Sequence, residues 1–302
     1  MEPSLAVRLD GGDLGRVLPQ ASAAVEGPVP SALAFTLART GGIWRLDGIS
    51  GSLAAAPVSG NMEFEPGPVP RIGGKLAFES LSLPRILGMF AARTGADPAG
   101  IPAIWNTARL QPAAISGYAL NLELTAGRLA VLGPYVLGNG RLVLGSDGAD
   151  LDVRDMSGSL GGGRTAASLR LRRQGDGVQA DGRLVLEQVD AAALLAPTGA
   201  RTAPRGKVNL LVDLGGSGRS VLAVVQNLSG QGTLGVRDFV IDGASPAGLD
   251  QALAEAVGLS PPPDERRAAQ MLDRTLAKGP LRIGFVETTL GVVNGVARLS
   301  PA

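Results

Sequence analysis

The sequence predicts a mainly β protein with short α-helices, laid out as an elongated, repeating antiparallel β-groove or curved sheet array. Three observations predict it. Apolar and polar residues alternate with a period of two in many short runs, each bounded by Gly, Pro, Asn or Asp. Gly (44) and Pro (21) are abundant enough in 302 residues to supply many turns without reaching the composition of a disordered chain. One pattern of three strands and a helix also occurs twice.

That unit is clearest from Asp150 to Pro197. Leu151 and Val153 alternate with Asp150, Asp152 and Arg154, and Ser157 to Gly163 reads as a turn. Ser168 to Arg173 alternates again, Gly175-Asp176-Gly177 signals a hairpin, and Asp181 to Leu186 is a third strand. Val189 to Ala196 then reads as a short helix, capped by Asp190 and stopped before Pro197. The same order precedes it: Leu46 to Leu53, Val58 to Phe64, Gly74 to Phe78, and a helix from Pro84 to Arg93. Gly51 recurs as Gly158 and Leu76 as Leu184, offsets of 107 (158 − 51) and 108 (184 − 76). A third echo, Leu228 to Leu234, opens the final section. The chain divides accordingly into 1–45 (strands ending a preceding repeat), 46–149 (a first groove unit), 150–227 (a second unit) and 228–302 (a β/α section).

The remaining elements follow in order. Leu5 to Leu9 is an opening strand, Gly11 to Leu18 a turn with a helical turn, and Leu33 to Arg39 a strand leading through Gly41-Gly42 to Ile43. A short helix is expected around Trp105. Gly117 to Leu124 sets Leu120, Leu122 and Leu124 on one face against Asn121 and Glu123; Arg128 to Leu132 and Arg141 to Leu144 continue as strands. Lys207 to Leu214 and Val221 to Leu228 are strands around the turn Gly215 to Gly218. After Phe239 to Ile241 come two helices. Leu249, Leu253, Ala256 and Val257 line one face of the first; Asp264 caps the second, whose stripe is Ala268, Met271, Leu272 and Leu276. Strands Leu281 to Glu287 and Gly295 to Leu299 close the chain.

Composition excludes several functions. Apolar residues are 45% but aromatics only 3%, so the core is Leu, Val, Ile and Ala. With 28 basic and 27 acidic residues and no basic tract, nucleic-acid binding is excluded. The chain has no cysteine and no histidine, which removes disulfides, thiolate or imidazole metal sites, and any histidine base for serine chemistry. No run reaches the ~18 apolar residues of a membrane span.

Gly230-Gln231-Gly232-Thr233-Leu234-Gly235 has the spacing of a dinucleotide fingerprint, with Asp250 downstream, but it leads into a strand rather than a helix, so its glycines read as backbone devices. Gly161 to Ala166 fails alike. Asp150, Asp152 and Asp155 offer oxygens for Ca²⁺, yet alternating acids on a strand are better read as its wet face. No carboxylate pair stands out for glycoside hydrolysis. Trp44 and Trp105 read as packing anchors before ligand platforms.

Leu228-Ser229-Gly230-Gln231-Gly232-Thr233-Leu234, then Asp238 to Gly243, an Ala/Leu helix, and Gly295-Val296-Ala297-Arg298-Leu299 together resemble the C-terminal region of the AsmA-like family of bacterial envelope proteins. Ser157 to Gly163, the helix Leu83 to Arg93 and the Trp105 segment resemble its upstream part, from about Leu46 onward. The resemblance implies a periplasmic protein tethered to the inner membrane by a segment absent from this chain. It implies a repeating β-groove with an apolar floor, related to bridge-like lipid-transfer proteins, that serves phospholipid traffic and outer-membrane assembly. Expected partners are phospholipid or another acyl-chain lipid, the membrane and outer-membrane assembly proteins; no cofactor, metal or catalytic residue is expected. Each buried CH₂ gains ~0.8 kcal/mol, so an acyl chain needs no specific site. The expected lining is Leu120, Leu122, Leu124, Leu142, Leu144, Leu169, Leu171, Leu184, Leu186, Leu210 and Val212. The alternatives are a scaffold with a closed core, and a carbohydrate-active β-array enzyme with two carboxylates beside Trp44 or Trp105.

Overall fold

A computed structural model describes residues 4–13, 30–53, 56–94, 109–112, 117–195, 204–260 and 263–300. Its first half comprises β1 (Ser4–Asp13), β2 (Pro30–Thr40), β3 (Ile43–Leu53), β4 (Ala56–Glu65), β5 (Arg71–Ser82) and α1 (Leu83–Phe90), then a small ribbon of β6 (Ala91–Thr94) and β7 (Arg109–Pro112). The second half comprises β8 (Ala119–Leu132), β9 (Tyr135–Asp147), β10 (Leu151–Leu160), β11 (Gly163–Gln174), β12 (Gly177–Asp190), α2 (Ala191–Leu195), β13 (Arg205–Gly218), α3 (Val221–Gln226) and β14 (Ser229–Ile241). Helices α4 (Gly248–Val257) and α5 (Glu265–Leu276), then β15 (Leu281–Val293) and β16 (Val296–Leu299), complete it.

All strands except β6 and β7 join one open, curved sheet of 14 strands in chain order, from β1 at one edge to β16 at the other. Neighbours are antiparallel except β5 and β8, which are parallel. At the usual strand spacing the sheet is about 60 Å across. The strand–strand–strand–helix order occurs at β3–β4–β5–α1 and again at β10–β11–β12–α2. Because β5 and β8 run the same way, a crossover must link them, and α1 with the β6–β7 ribbon lies on it.

The strands are 10 to 14 residues long in most of the sheet, longer than the alternating runs alone suggested. Segments expected to be turns lie inside strands: Ser157 to Leu160 belongs to β10, the turn being Gly161-Gly162, and Gly215 to Gly218 belongs to β13. Gly11 to Asp13 belongs to β1, while 14–18 and the Trp105 segment lie outside the described residues. The first helix ends at Phe90 rather than Arg93, and the second begins at Ala191, with Val189 and Asp190 ending β12. Val221 to Leu228 was expected as a strand and is helical over Val221–Gln226. The Ser220 side chain accepts the Ala223 N–H at 3.1 Å, and this cap outweighs the β preference of the valines.

Bulges bend several of the long strands. Gly48, Asn139, Asp155, Gln188 and Asp238 have left-handed φ of 62°, 49°, 50°, 55° and 50° within their strands. The pairing ladders shift or skip a pair at each. Such a residue adds one position and turns the following side chains to the other face. In β4, a Cβ at Gly60 would sit 2.0 Å from the Lys75 carbonyl oxygen, so this position admits only glycine where the strands bend together.

Candidate functional site: a two-faced sheet

Register assigns the faces. Partners share a face, and Leu120, Leu122 and Leu124 of β8 align with Ser146, Leu144 and Leu142 of β9. Leu144 aligns with Val153, which aligns with Leu169; Leu171 aligns with Ala180, two residues from Gly182, which aligns with Leu169. Ala167 then meets Leu184 and Thr165 meets Leu186, and these in turn meet Val212 and Leu210 of β13. Across β5, Ile72, Leu76 and Phe78 align with Leu120, Leu124 and Ala126. All eleven side chains expected to line the groove therefore share one apolar face. The same face continues through Leu46 and Trp44 on β3 to Leu37 and Leu5, and through Leu234 and Leu290 to Leu299.

Packing divides this face. Leu120, Leu124, Leu142, Leu144, Leu186 and Val212 are buried, while Leu122, Leu169, Leu171, Leu184 and Leu210 are half-buried. The most buried side chains, Leu129, Leu137, Leu142, Val153 and Val189, sit at the centre. Leu83 and Ile86 of α1 join Leu124, Leu129, Leu137 and Leu142 in one cluster, so the helix roofs this region. Helix α2 folds back over the same end: the Tyr135 hydroxyl donates to the Leu194 carbonyl at 2.7 Å. Toward the sheet edges the cover thins, and Leu5, Leu9, Val286 and Leu299 are exposed by 63%, 41%, 41% and 57%. The result is a dry centre flanked by open apolar surface.

Leu129, Leu137 and Val189 were missed as lining candidates. Each lies across a bulge from the alternating run of its strand, so simple alternation places Leu129 on the polar side; yet a Cβ at Gly140 would lie 2.4 Å from the Leu129 Cβ, on the apolar side. The Asn139-Gly140 pair, favoured at left-handed positions, is the one sequence signal for that bulge.

The opposite face is polar and laced with cross-strand ion pairs. Arg45–Glu63 (3.2 Å), Lys75–Glu123 (2.9 Å), Arg164–Glu187 (3.6 Å), Arg183–Asp213 (3.7 Å) and Arg170–Asp152 all join residues directly opposite in register. Exposed pairs of this kind add little stability each, but they keep this face wet. Asp152 and Asp150 serve Arg170 and Arg172, and Asp155 is a bulge residue, so the acidic run is the wet face of a strand. The Asp152 hydrogen bond and charge raise the Arg170 pKa further. Among the described residues no cluster of acids is arranged to hold a metal ion. Gly230 to Gly235 lies within β14, with no helix following it at once. Trp44 packs half-buried on the apolar face, with the Arg39 guanidinium 5.1 Å above its ring. Trp105 lies outside the described residues.

A hollow of about 440 Å³ opens on the polar face, lined by Ser157, Ser159, Arg164, Ala166, Val185 and Glu187 with Gly138 and Gly158. Its ionisable groups are Arg164 and Glu187, which pair with each other at 3.6 Å. Within the apolar face, Thr165 is buried and its Oγ1 has no hydrogen-bond partner. Among the described residues no helix is long and apolar enough to cross a membrane.

The family model of the AsmA family matches residues 44–299, most of the chain. No curated protein and no solved structure matches.

Proposed function

The chain belongs to the AsmA family, and from that premise we propose that its apolar face binds acyl-chain lipid and conducts it along the sheet, without catalysis. This fits a family consistent with lipid transport in the bacterial envelope. In this reading the protein works in the periplasm at the inner membrane, contributes to phospholipid traffic and outer-membrane assembly, and meets its assembly partners there.

The observation that carries the proposal is the continuity of the apolar face from β1 to β16. A sheet built only to be a scaffold has no need of exposed Leu5, Leu9 and Leu299 on the same side as its core. Contact along such a face is non-directional, which suits sliding: each CH₂ that leaves one leucine meets another. The polar face supplies the solubility that an open apolar surface would otherwise cost.

Native mass spectrometry of the purified chain, with lipid extraction of the same sample, tests this. Co-purified phospholipid that is lost on Leu171→Asp, or on the milder Leu210→Asn, with circular dichroism unchanged, is the expected result. A folded, lipid-free protein that takes up no fluorescent phospholipid would leave a scaffold organised around its dry centre.

A further inference from the structure

Helix α4 is packed the wrong way round for a helix that serves only the core. Its small residues Gly248 and Ala252 are buried, while Leu249, Leu253 and Val257 are exposed by 52%, 56% and 87%. The spacing of four puts these three in one stripe. The buried side meets α5, where Met271 and Thr275 are buried in turn. A Cβ at Gly248 would lie 2.9 Å from the Thr275 and Leu276 backbone, so the two helices touch closely and the stripe cannot roll inward. Asp264 caps α5 by accepting the Arg267 N–H at 2.8 Å, and Lys278 donates to Gln251 at 3.2 Å, tying the pair further.

The stripe stands on the rim to which the strands β5, β8, β12 and β14 all point, the rim that also carries α1, α2 and the exposed Leu132 at the end of β8. It stands at the same rim where β15 begins, five residues before the exposed Val286 of the apolar face.

We propose that α4 seats this rim on the surface of a zwitterionic phospholipid bilayer, with Leu249, Leu253 and Val257 entering the headgroup–acyl boundary. Two observations select that occupant. Three side chains of this size present on the order of 300 Å², below the roughly 500 Å² per partner of a stable dimer, but enough for shallow interfacial insertion. From Gly248 to Pro280 there are five acidic residues (Asp250, Glu255, Asp264, Glu265, Asp273) and four basic ones (Arg266, Arg267, Arg274, Lys278), so the pair offers no net field to an anionic surface. Seating is therefore hydrophobic and insensitive to salt. It goes beyond the lipid-conducting reading and stands without it, because the stripe is outside the sheet.

Flotation with phosphatidylcholine vesicles tests the proposal. The chain is expected to float with the vesicles equally at low and high salt. Leu253→Glu is expected to lower the bound fraction at least tenfold and Leu253→Ala severalfold, with circular dichroism unchanged. Uptake of a fluorescent fatty acid without vesicles reads the sheet separately and is expected to stay unchanged in both variants. A chain that does not float, or floats equally with Glu at 253, overturns the proposal. So does a concentration-dependent dimer, seen by light scattering, that Leu253→Glu dissolves, since it assigns the stripe to a second copy.

Discussion

Lys75 and Glu123 meet at 2.9 Å across the parallel β5–β8 pair, and the next residues along, Leu76 and Leu124, are partners on the opposite face. One step along two strands thus passes from a wet ion pair to the packed interior.

The two steps are expected to differ sharply on truncation. Leu124→Ala removes a 5%-exposed side chain from the central cluster and should cost about 2–5 kcal/mol. Glu123→Ala breaks a largely exposed ion pair and should cost less than about 1 kcal/mol. Urea denaturation of both variants checks this; similar losses would contradict the assignment of faces.

Thr165→Val is expected to stabilise the protein. The hydroxyl is buried without a partner, and valine keeps the shape while removing it. The gain should be about 1 kcal/mol, a rise in melting temperature of about 2 °C. Scanning calorimetry would show a drop instead if the hydroxyl had a partner in solution.

Asp147 gives a pH dependence. Its carboxylate accepts the Asp150 N–H at 2.9 Å and the Ala149 N–H at 3.0 Å, and these bonds hold its pKa below the ordinary 3.8. The folded state therefore binds this proton more weakly than the unfolded chain. The stabilisation is complete above the ordinary carboxylate pKa and is lost as pH falls through the depressed value. Asp147→Asn should cost a few tenths of a kcal/mol at neutral pH, a small value because the site is solvent-screened. The difference from the parent should shrink as pH falls below the ordinary carboxylate value of 3.8 and through the depressed one. Chemical denaturation at a series of pH values measures it; a constant difference would contradict it.

Alternation made the faces legible because none of the eleven lining candidates straddles a bulge. Leu120, Leu122 and Leu124 precede the skipped Gly127–Asn139 pair, Leu142 and Leu144 follow it, and Leu184 and Leu186 precede Gln188. Leu129, Leu137 and Val189 lie across the Gly127–Asn139 and Gln188 bulges from those runs and were lost to the reading, since a lone Asn-Gly pair marks the first bulge and no local pattern marks Gln188 as left-handed. The α3 valines read as strand because their period is uninformative over six residues, whereas a single Ser220 cap decides the outcome. The stripe of α4 was legible, but its direction was not: which side of a helix is buried depends on where α5 lies, and Gly248 and Ala252 win by letting two backbones approach.

The parallel β5–β8 seam also sets the order in which the chain can assemble. Most neighbouring strands on either side are joined by short turns, so their pairing closes small loops. Ile72 and Leu120 are 48 residues apart (120 − 72), and their meeting must await closure of a far longer loop. The short-turn hairpins on either side are therefore expected to form before the seam, as they are before β14–β15, whose nearest partners Ile241 and Leu281 are 40 residues apart (281 − 241). A half-synthesised chain can fold its first meander while the second is still emerging, and its edge at β5 stays open as the template for β8.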